Sequence, residues 1–250
     1  MHRLQFAGLH LLCSMAVAGI VSMVVLWGLY PHPFRELSGG IHLFAILVAV
    51  DVGLGPLATA VVSRPGKGIR EWRMDIALIA MIQLGALAYG IWTIYQARPV
   101  YLSFEIDRFR VVHAIDVEPE LLAKAAPAWS DLPKWGPGLI AVRPFASAEE
   151  SSTATMAALQ GAELSFRPEF WMPYADAAAA IKLEYKPLAD VVQRHPTRAD
   201  EVSAVLKTHG LTLESARYLP LHSRKAFWTA VIHPETMQPV AYLDIDPYPN

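Results

Sequence analysis

Residues 41–62 read IHLFAILVAVDVGLGPLATAVV, a run of 22 residues with a single formal charge, on Asp51 near its middle. About 20 apolar residues in a helix cross the roughly 30 Å hydrocarbon core of a bilayer. Two more apolar runs of similar length lie on either side, at about 7–30 and about 76–95. The sequence therefore predicts three transmembrane α-helices, which together fill most of residues 1–98.

Composition separates this membrane part from the rest of the 250-residue chain. Hydrophobic residues make up 54% and charged residues 18%, whereas about a quarter of the residues in an average soluble domain are charged. Residues 1–98 hold 7 basic and 4 acidic residues, and residues 99–250 hold 14 and 19. These values exclude a disordered chain and a basic nucleic-acid binder. They predict a membrane domain over 1–98 and a water-facing domain over 99–250.

The basic residues of the loops predict the orientation of the helices. Loop 31–40 contains only Arg35, whereas loop 63–75, SRPGKGIREWRMD, contains four basic residues, Arg64, Lys67, Arg70 and Arg73. Loops rich in lysine and arginine stay on the cytoplasmic side of a membrane. We therefore expect a multi-pass protein of the bacterial inner membrane, with a cytoplasmic N-terminus and a periplasmic domain from about residue 99.

A cleaved signal peptide is the alternative for the first apolar run, because Ala16-Val17-Ala18 has the small-x-small form of a cleavage site. The run continues to Tyr30, well past this motif, which favours an uncleaved anchor. Cys13 is the one cysteine of the chain, so it cannot form an intramolecular disulfide, and we expect it to be packed within the first apolar run.

The water-facing domain reads as a mixture of strands and helices. Period-two alternation with β-branched and aromatic residues predicts strands at 100–104, 108–111, 139–142, 226–232 and 240–245. The last two are separated by the turn-forming segment HPETMQP and form a β-hairpin. Helices are predicted at 118–126, at 148–159, at 174–194 with a break near Pro187, and from an N-cap at Thr197 to a stop at Gly210. The predicted fold is three transmembrane helices followed by a periplasmic α+β domain.

Motifs for catalysis are absent from the sequence, which lacks GxSxG, HExxH, CxxC and a P-loop. We therefore expect a protein that is not an enzyme and uses no cofactor or metal. Asp244-Ile245-Asp246 has the DxD form that metal-dependent glycosyltransferases use. Alternating acids on a strand simply share its exposed face, and this interpretation is favoured here.

Asp51 is the most unusual residue of the membrane domain. An acid at mid-bilayer is costly and usually faces a bundle interior or a cavity. One interpretation is a polar contact with a partner's membrane helix, or a proton-linked step. The other, which is favoured, is an acid that ties the second helix to the third, with Gln83, His10 and Ser14 as internal partners. The nearby residues Gly53, Gly55 and Pro56 permit close helix approach and a local kink.

Two features of the water-facing domain are candidate contacts for a protein partner. Trp129 and Trp135 lie in a proline-rich loop at 127–138, where one of them is a candidate exposed anchor. Arg224 and Lys225 precede a predicted strand, and they are either solvated or paired with an acidic partner.

Several strings resemble those of the type IV pilin accessory proteins (TfpX/TfpZ-like pilus assembly accessory proteins). The strongest is DVGLGPL at 51–57, in the second predicted helix. The others are the segment 83–90, ARPVY at 97–101, DRF at 107–109, YLPL at 218–221, SRK at 223–225, WT at 228–229 and YLDIDP at 242–247. The resemblance covers nearly the whole chain, although residues 120–215 match only in length and composition.

The resemblance implies a factor that stabilises or assembles a cognate type IV pilin, together with inner-membrane assembly proteins and the lipid bilayer, without nucleic acid. Such a pilin is held in the inner membrane by one apolar helix before assembly. The family has no established catalytic residues. The partner-binding candidates are Asp51, Gly53, Gly55, Pro56, Gln83, Arg98, Asp107, Arg108, Arg224, Lys225 and Trp228. We hypothesise that the two glycines and the proline shape a groove for the pilin helix and that Asp51 supplies a polar contact.

Two other functions stay open at this point. An enzyme that modifies pilin or envelope glycans would use Asp244 and Asp246 to hold a metal. A membrane-anchored sensor would bind a ligand through its periplasmic domain, but it is disfavoured because the cytoplasmic side offers only a short loop and no output domain.

Overall fold

The computed structural model describes residues 2–63, 66–224 and 226–248. Lys225 and Arg64, two of the basic residues singled out above, lie outside the described residues. The chain forms two compact units, Met1–Arg98 and Pro99–Asn250.

The first unit is helical. Helix α1, His2–Met23, continues as a π-helical turn over Val24–Leu29. The other helices are α2, Phe34–Leu37, α3, Gly40–Val62, and α4, Ile69–Gln96. Three stretches are long and apolar enough to cross a membrane, namely Leu4–Leu29, Phe44–Val62 and Ile69–Gln96. The predicted anchor of three membrane helices is confirmed.

Helix α4 begins earlier than the sequence predicts. Its first residue is Ile69, so Arg70 and Arg73 lie in its first turns rather than in a loop. Gly68 is the N-cap, and Glu71 is an acid in the first turn, where the helix dipole favours a negative charge. The indole of Trp72 donates a hydrogen bond to Ser63 Oγ at 3.0 Å, which ties the start of α4 to the end of α3.

Helices α1 and α4 both pack against α3, which is the central element of the unit. Helix α3 continues through Pro56 without ending there. Prolines are tolerated within membrane helices. At one end of the bundle, the ring of Phe6 on α1 contacts the ring of Trp72 on α4, with centroids 4.8 Å apart. At the other end, Tyr30 donates a hydrogen bond from its hydroxyl to the carbonyl of Ile94 at 2.9 Å.

The second unit is built on one mixed sheet of eight strands. They are β1 Pro99–Glu105, β2 Arg108–His113, β3 Gly138–Val142, β4 Trp171–Pro173, β5 Lys186–Pro187, β6 Arg217–His222, β7 Phe227–Ile232 and β8 Pro239–Leu243. The strand order is β4-β3-β1-β2-β6-β7-β8, and β5 pairs with the first part of β6. The pairs β1/β3 and β2/β6 are parallel, and the others are antiparallel.

Short helices cover the sheet. They are α5 Pro119–Leu122, α6 Ala148–Leu159, α7 Ala178–Glu184, α8 Ala189–Arg194 and α9 Ala199–Thr208. Val191 of α8 and Leu206 of α9 share a core with Tyr218, Val231 and Leu243 of the sheet. A second core joins Tyr101, Ile140 and Trp171. The predicted α+β class is therefore confirmed.

Several element boundaries differ from the sequence predictions. The helix predicted over 118–126 is only α5, one turn long. The segment 174–194 is interrupted near Pro187 as predicted, with β5 between α7 and α8, but it begins with a 3₁₀ turn over Tyr174–Ala177. Thr197 is not the N-cap of α9, because Pro196–Arg198 form a 3₁₀ turn and Arg198 takes that position.

Candidate functional site

Asp51 lies at the floor of a cleft in the helical unit. It is the middle residue of α3, and the cleft, about 200 Å³ in volume, opens between α1 and α4. The lining residues are His10, Cys13, Ser14 and Val17 from α1, Asp51 from α3, and Ala80, Gln83, Leu84 and Leu87 from α4.

The two walls of the cleft are regular helix faces. The α1 residues recur at positions i, i+3, i+4 and i+7, and so do the α4 residues. This spacing places each set on one face of its helix. Sequence analysis proposed His10, Ser14 and Gln83 as partners of Asp51 but missed the remaining lining residues. The matching spacing on α1 and α4 was the available signal. Cys13, expected to be packed, is exposed.

The polar groups around the cleft are only partly paired. Gln83 donates from Nε2 to the main-chain oxygen of Asp51 at 3.1 Å. His10 Nδ1 lies 2.5 Å from Thr59 Oγ1. In the described part of the chain, the buried Oδ1 of Asp51 has no hydrogen-bond partner. The expected hydrogen bond between the second and third helices therefore exists, but its acceptor is the main-chain oxygen of Asp51. Oδ1 of the carboxyl group has no partner among the described residues.

The small residues that follow Asp51 have different positions. Gly55 is buried, and a Cβ there would collide with the side-chain amide of Gln83. Gly53 is exposed, with no atom within 4 Å of where a Cβ would stand. Pro56 is buried. Gly55 thus allows close approach of α3 and α4, and neither glycine lines the cleft.

The remaining candidates lie outside the cleft. Arg98 is buried, donates from Nη1 to the carbonyl of Tyr95 at 2.8 Å and stands 3.8 Å from the centre of that ring. Asp107 and Arg108 form an ion pair at 2.6 Å at the β1–β2 turn. Trp228 is buried in β7, opposite Leu221 of β6.

Arg224 pairs with an acid of its own chain. Its guanidinium forms an ion pair with Asp116, which follows β2 and also accepts hydrogen bonds from the main chain of His113, at 3.0 Å, and from its ring. Burial of Asp116 opposes its ionisation, but the hydrogen bonds from His113 and Arg224 outweigh it and lower the pKa of Asp116 below its ordinary value. In this structure Arg224 fastens the β6–β7 turn to the segment after β2.

An aromatic cluster near the β6–β7 turn was not predicted. His222 Nε2 lies 2.6 Å from the hydroxyl of Tyr248, and the ring of Phe227 contacts both rings. Burial, and then the charges of Arg108 and Arg110, lower the pKa of His222 to about 4. The sequence gives no pattern for this cluster, because Tyr248 is distant in the chain from the other two residues.

Asp244 and Asp246 follow β8 rather than alternating along it. Their main-chain oxygens accept hydrogen bonds from Arg198 Nη1 at 3.2 Å and from His195 Nε2 at 3.0 Å. One carboxylate oxygen of Asp246 accepts the N–H of Tyr248 at 2.9 Å. Within residues 2–63, 66–224 and 226–248, no group of three or more His, Cys, Asp or Glu side chains is placed to hold a metal ion.

Comparisons with known proteins agree over most of the chain. The sequence model of the family described as Fimbrial assembly protein FimB matches residues 1–39, which include α1. The chain is 34% identical over 245 residues to the Dichelobacter nodosus protein "Fimbrial assembly protein, serogroup I", covering 98% of this chain and 95% of the relative. It is 33% identical over 245 residues to the serogroup E1 protein of the same organism, with the same coverage. No solved structure matches the chain.

Proposed function

This chain belongs to the fimbrial assembly protein family, and from that membership we propose that it is a type IV pilin accessory protein of the TfpX/TfpZ kind. It acts as a non-enzymatic factor of the inner membrane that stabilises a cognate pilin or helps to assemble it into pili. The observation that carries this proposal is similarity along the whole chain to proteins whose printed names describe fimbrial assembly.

The architecture supports the same role. A pilin awaiting assembly has one apolar membrane helix and a globular head outside the membrane. The three-helix anchor offers a surface for the pilin helix, and the α+β unit offers one for the head. In this proposal the α+β unit distinguishes one pilin from another, and Asp107 and Arg108 remain its partner-binding candidates, whereas the buried Trp228 supports the sheet.

The proposed orientation places the N-terminus in the cytoplasm and residues 99–250 in the periplasm. The basic residues Lys67, Arg70 and Arg73 support it, since they lie between the second and third membrane helices or in the first turns of the third. Protease added to spheroplasts then removes the α+β unit and leaves the helical unit protected. If the α+β unit is fully protected in sealed spheroplasts and is digested only after lysis, the orientation is the opposite of the one proposed.

Deletion of the gene tests the function directly. In one set of cells, total pilin is measured by immunoblot and surface pili are measured after shearing. We expect fewer surface pili, restored by the intact gene. A parallel fall in total pilin would mean that the protein stabilises pilin before assembly. Unchanged pilin level, pilin mass and surface pili would overturn the proposal.

A further inference from the structure

The cleft between α1 and α4 has the form of one half of a helix-packing interface. Its walls are two helix faces with the i, i+3, i+4, i+7 spacing that accepts side chains of a further helix. Cys13, Ser14 and Ala80 are small, and small residues let helix backbones approach closely in membranes. Val17 and Leu84 on its rim are 42% and 65% exposed. The cleft is therefore shaped to accept side chains of a further membrane helix.

The floor of the cleft specifies the chemistry of the occupant. Asp51 has as many helical residues before it in α3 as after it, so it lies at mid-depth of the apolar layer. Its Oδ1 is buried and, among the described residues, has no hydrogen-bond partner. Lipid acyl chains carry no hydrogen-bond donor, and an unsatisfied polar atom is costly in hydrocarbon. An occupant that brings a hydrogen-bond donor to the Asp51 side chain at this depth is therefore favoured over lipid.

The size of the cleft limits what enters it. Helix α1 meets α4 at one end of the bundle through Phe6 and Trp72, and Tyr30, which follows the π-helical turn, meets Ile94 of α4 at the other end. The volume between them, about 200 Å³, is several times the roughly 30 Å³ that one water occupies in the liquid. Side chains of a helix lying across the opening fit this space, whereas a whole helix between α1 and α4 does not.

We propose that the α1–α4 cleft is the docking site for the membrane helix of the pilin, which inserts a hydrogen-bond donor at mid-depth against the carboxyl group of Asp51. This inference rests on the proposed function and adds the location and the recognition chemistry. A second copy of this chain fits less well, because a symmetric dimer across the cleft would bring two Asp51 carboxyls to the same place.

Cys13 makes the site directly testable. It is the one cysteine of the chain and lines the cleft, so the full-length protein needs no engineered residue. In cells, it is co-expressed with pilin variants that carry single cysteines at successive positions of the membrane helix, and disulfide cross-links are read by immunoblot. We expect cross-links at pilin positions that lie on one helix face. The matched control is Met15→Cys in a Cys13→Ser background, because Met15 is exposed on the opposite side of α1; it should give none.

Substitutions of Asp51 test the donor. Asp51→Asn keeps an acceptor oxygen and Asp51→Leu removes it. We expect Asp51→Leu to lower the yield of Cys13 cross-links by about three- to tenfold, as for the loss of one hydrogen bond between membrane helices, and Asp51→Asn to keep most of it. Equal protein levels of the variants, checked by immunoblot, show that the loss is not one of folding.

Three outcomes would overturn the inference. The first is the absence of any Cys13 cross-link to pilin in cells where deletion of the gene abolishes surface pili. That result would reject the docking site but leave the proposed function unaffected. The second is a Cys13–Cys13 product between two copies of this chain in place of the pilin product. The third is an equal yield from Asp51→Leu and the unmodified protein.

Discussion

At the scale of single residues, burial separates two tryptophans that the sequence places in the same loop. Trp129 packs edge-on to Tyr101 and Trp171, with ring centroids 6.3 and 6.1 Å away, whereas Trp135 is 65% exposed. Trp135 is thus the exposed anchor candidate of the proline-rich loop.

We predict that Trp129→Ala lowers the free energy of unfolding by about 1–2 kcal/mol, because the half-buried indole loses its contacts with two aromatic rings. Trp135→Ala should change it by less than about 0.5 kcal/mol. Urea unfolding of the full-length protein in detergent, followed by fluorescence, measures both. Equal effects of the two substitutions would contradict this assignment of core and surface.

The depressed pKa of His222 predicts a pH effect. Its folded value, about 4, lies below the ordinary value of 6.5, so the unfolded chain takes up the proton first as the pH falls. The contribution of His222 to stability is therefore complete above about pH 6.5 and is lost between about 6.5 and about 4. We expect the urea concentration at the midpoint of unfolding to decrease as the pH is lowered through this range. The decrease should be smaller in the His222→Gln variant. An unchanged pH dependence in the variant would refute the role of His222.

Sequence alone could identify Asp51 and Gln83, because polar residues are rare in apolar runs. The sequence could not show that Gln83 donates its hydrogen bond to the main-chain oxygen of Asp51 rather than to its carboxyl group. That choice depends on the rotation of α3 against α4. The pair of Arg224 and Asp116 was equally out of reach, because the two residues are 108 positions apart and meet only in the folded sheet.

At the scale of elements, local patterns predicted strands where alternation is strong, as in β1, β2 and the β7–β8 hairpin. Strand β6 was missed because a proline inside YLPL argues against a central strand. On one side of β6, β5 pairs with Arg217 and Tyr218 and β2 pairs with Leu221 and His222. Pro220 falls between these two ladders, where a missing N–H costs little.

The contact between α3 and α4 predicts opposite outcomes for two neighbouring glycines. Gly55→Leu must displace Gln83 and should destabilise the helical unit by about 1–3 kcal/mol, as overpacking does. Gly53→Leu enters open space on α3 and should have little effect. Thermal melting of the full-length protein in detergent compares the two, and a lower melting temperature for Gly53→Leu than for Gly55→Leu would contradict the packing described.

At the scale of the whole molecule, the chain divides into two units with separate cores. A domain with its own core can in general fold alone. We predict that residues 99–250, produced without the helices, are soluble and unfold cooperatively in urea. The matched control is the same fragment with Leu219→Ala, a fully buried core position in β6, which should unfold at lower urea. Aggregation of the fragment with no cooperative transition would show that the sheet needs the membrane unit.

The short parallel pairing of β2 with β6 also affects the order of events during synthesis. It joins Phe109 and Arg110 to Leu221 and His222, and it links the two halves of the sheet. Strands β1 to β4 are synthesised before β6. Strand β2 therefore gains its second neighbour only after more than half of the domain has been synthesised. In the proposed orientation, this domain crosses the membrane as an extended chain, and its sheet would then close only after most of the domain has arrived in the periplasm.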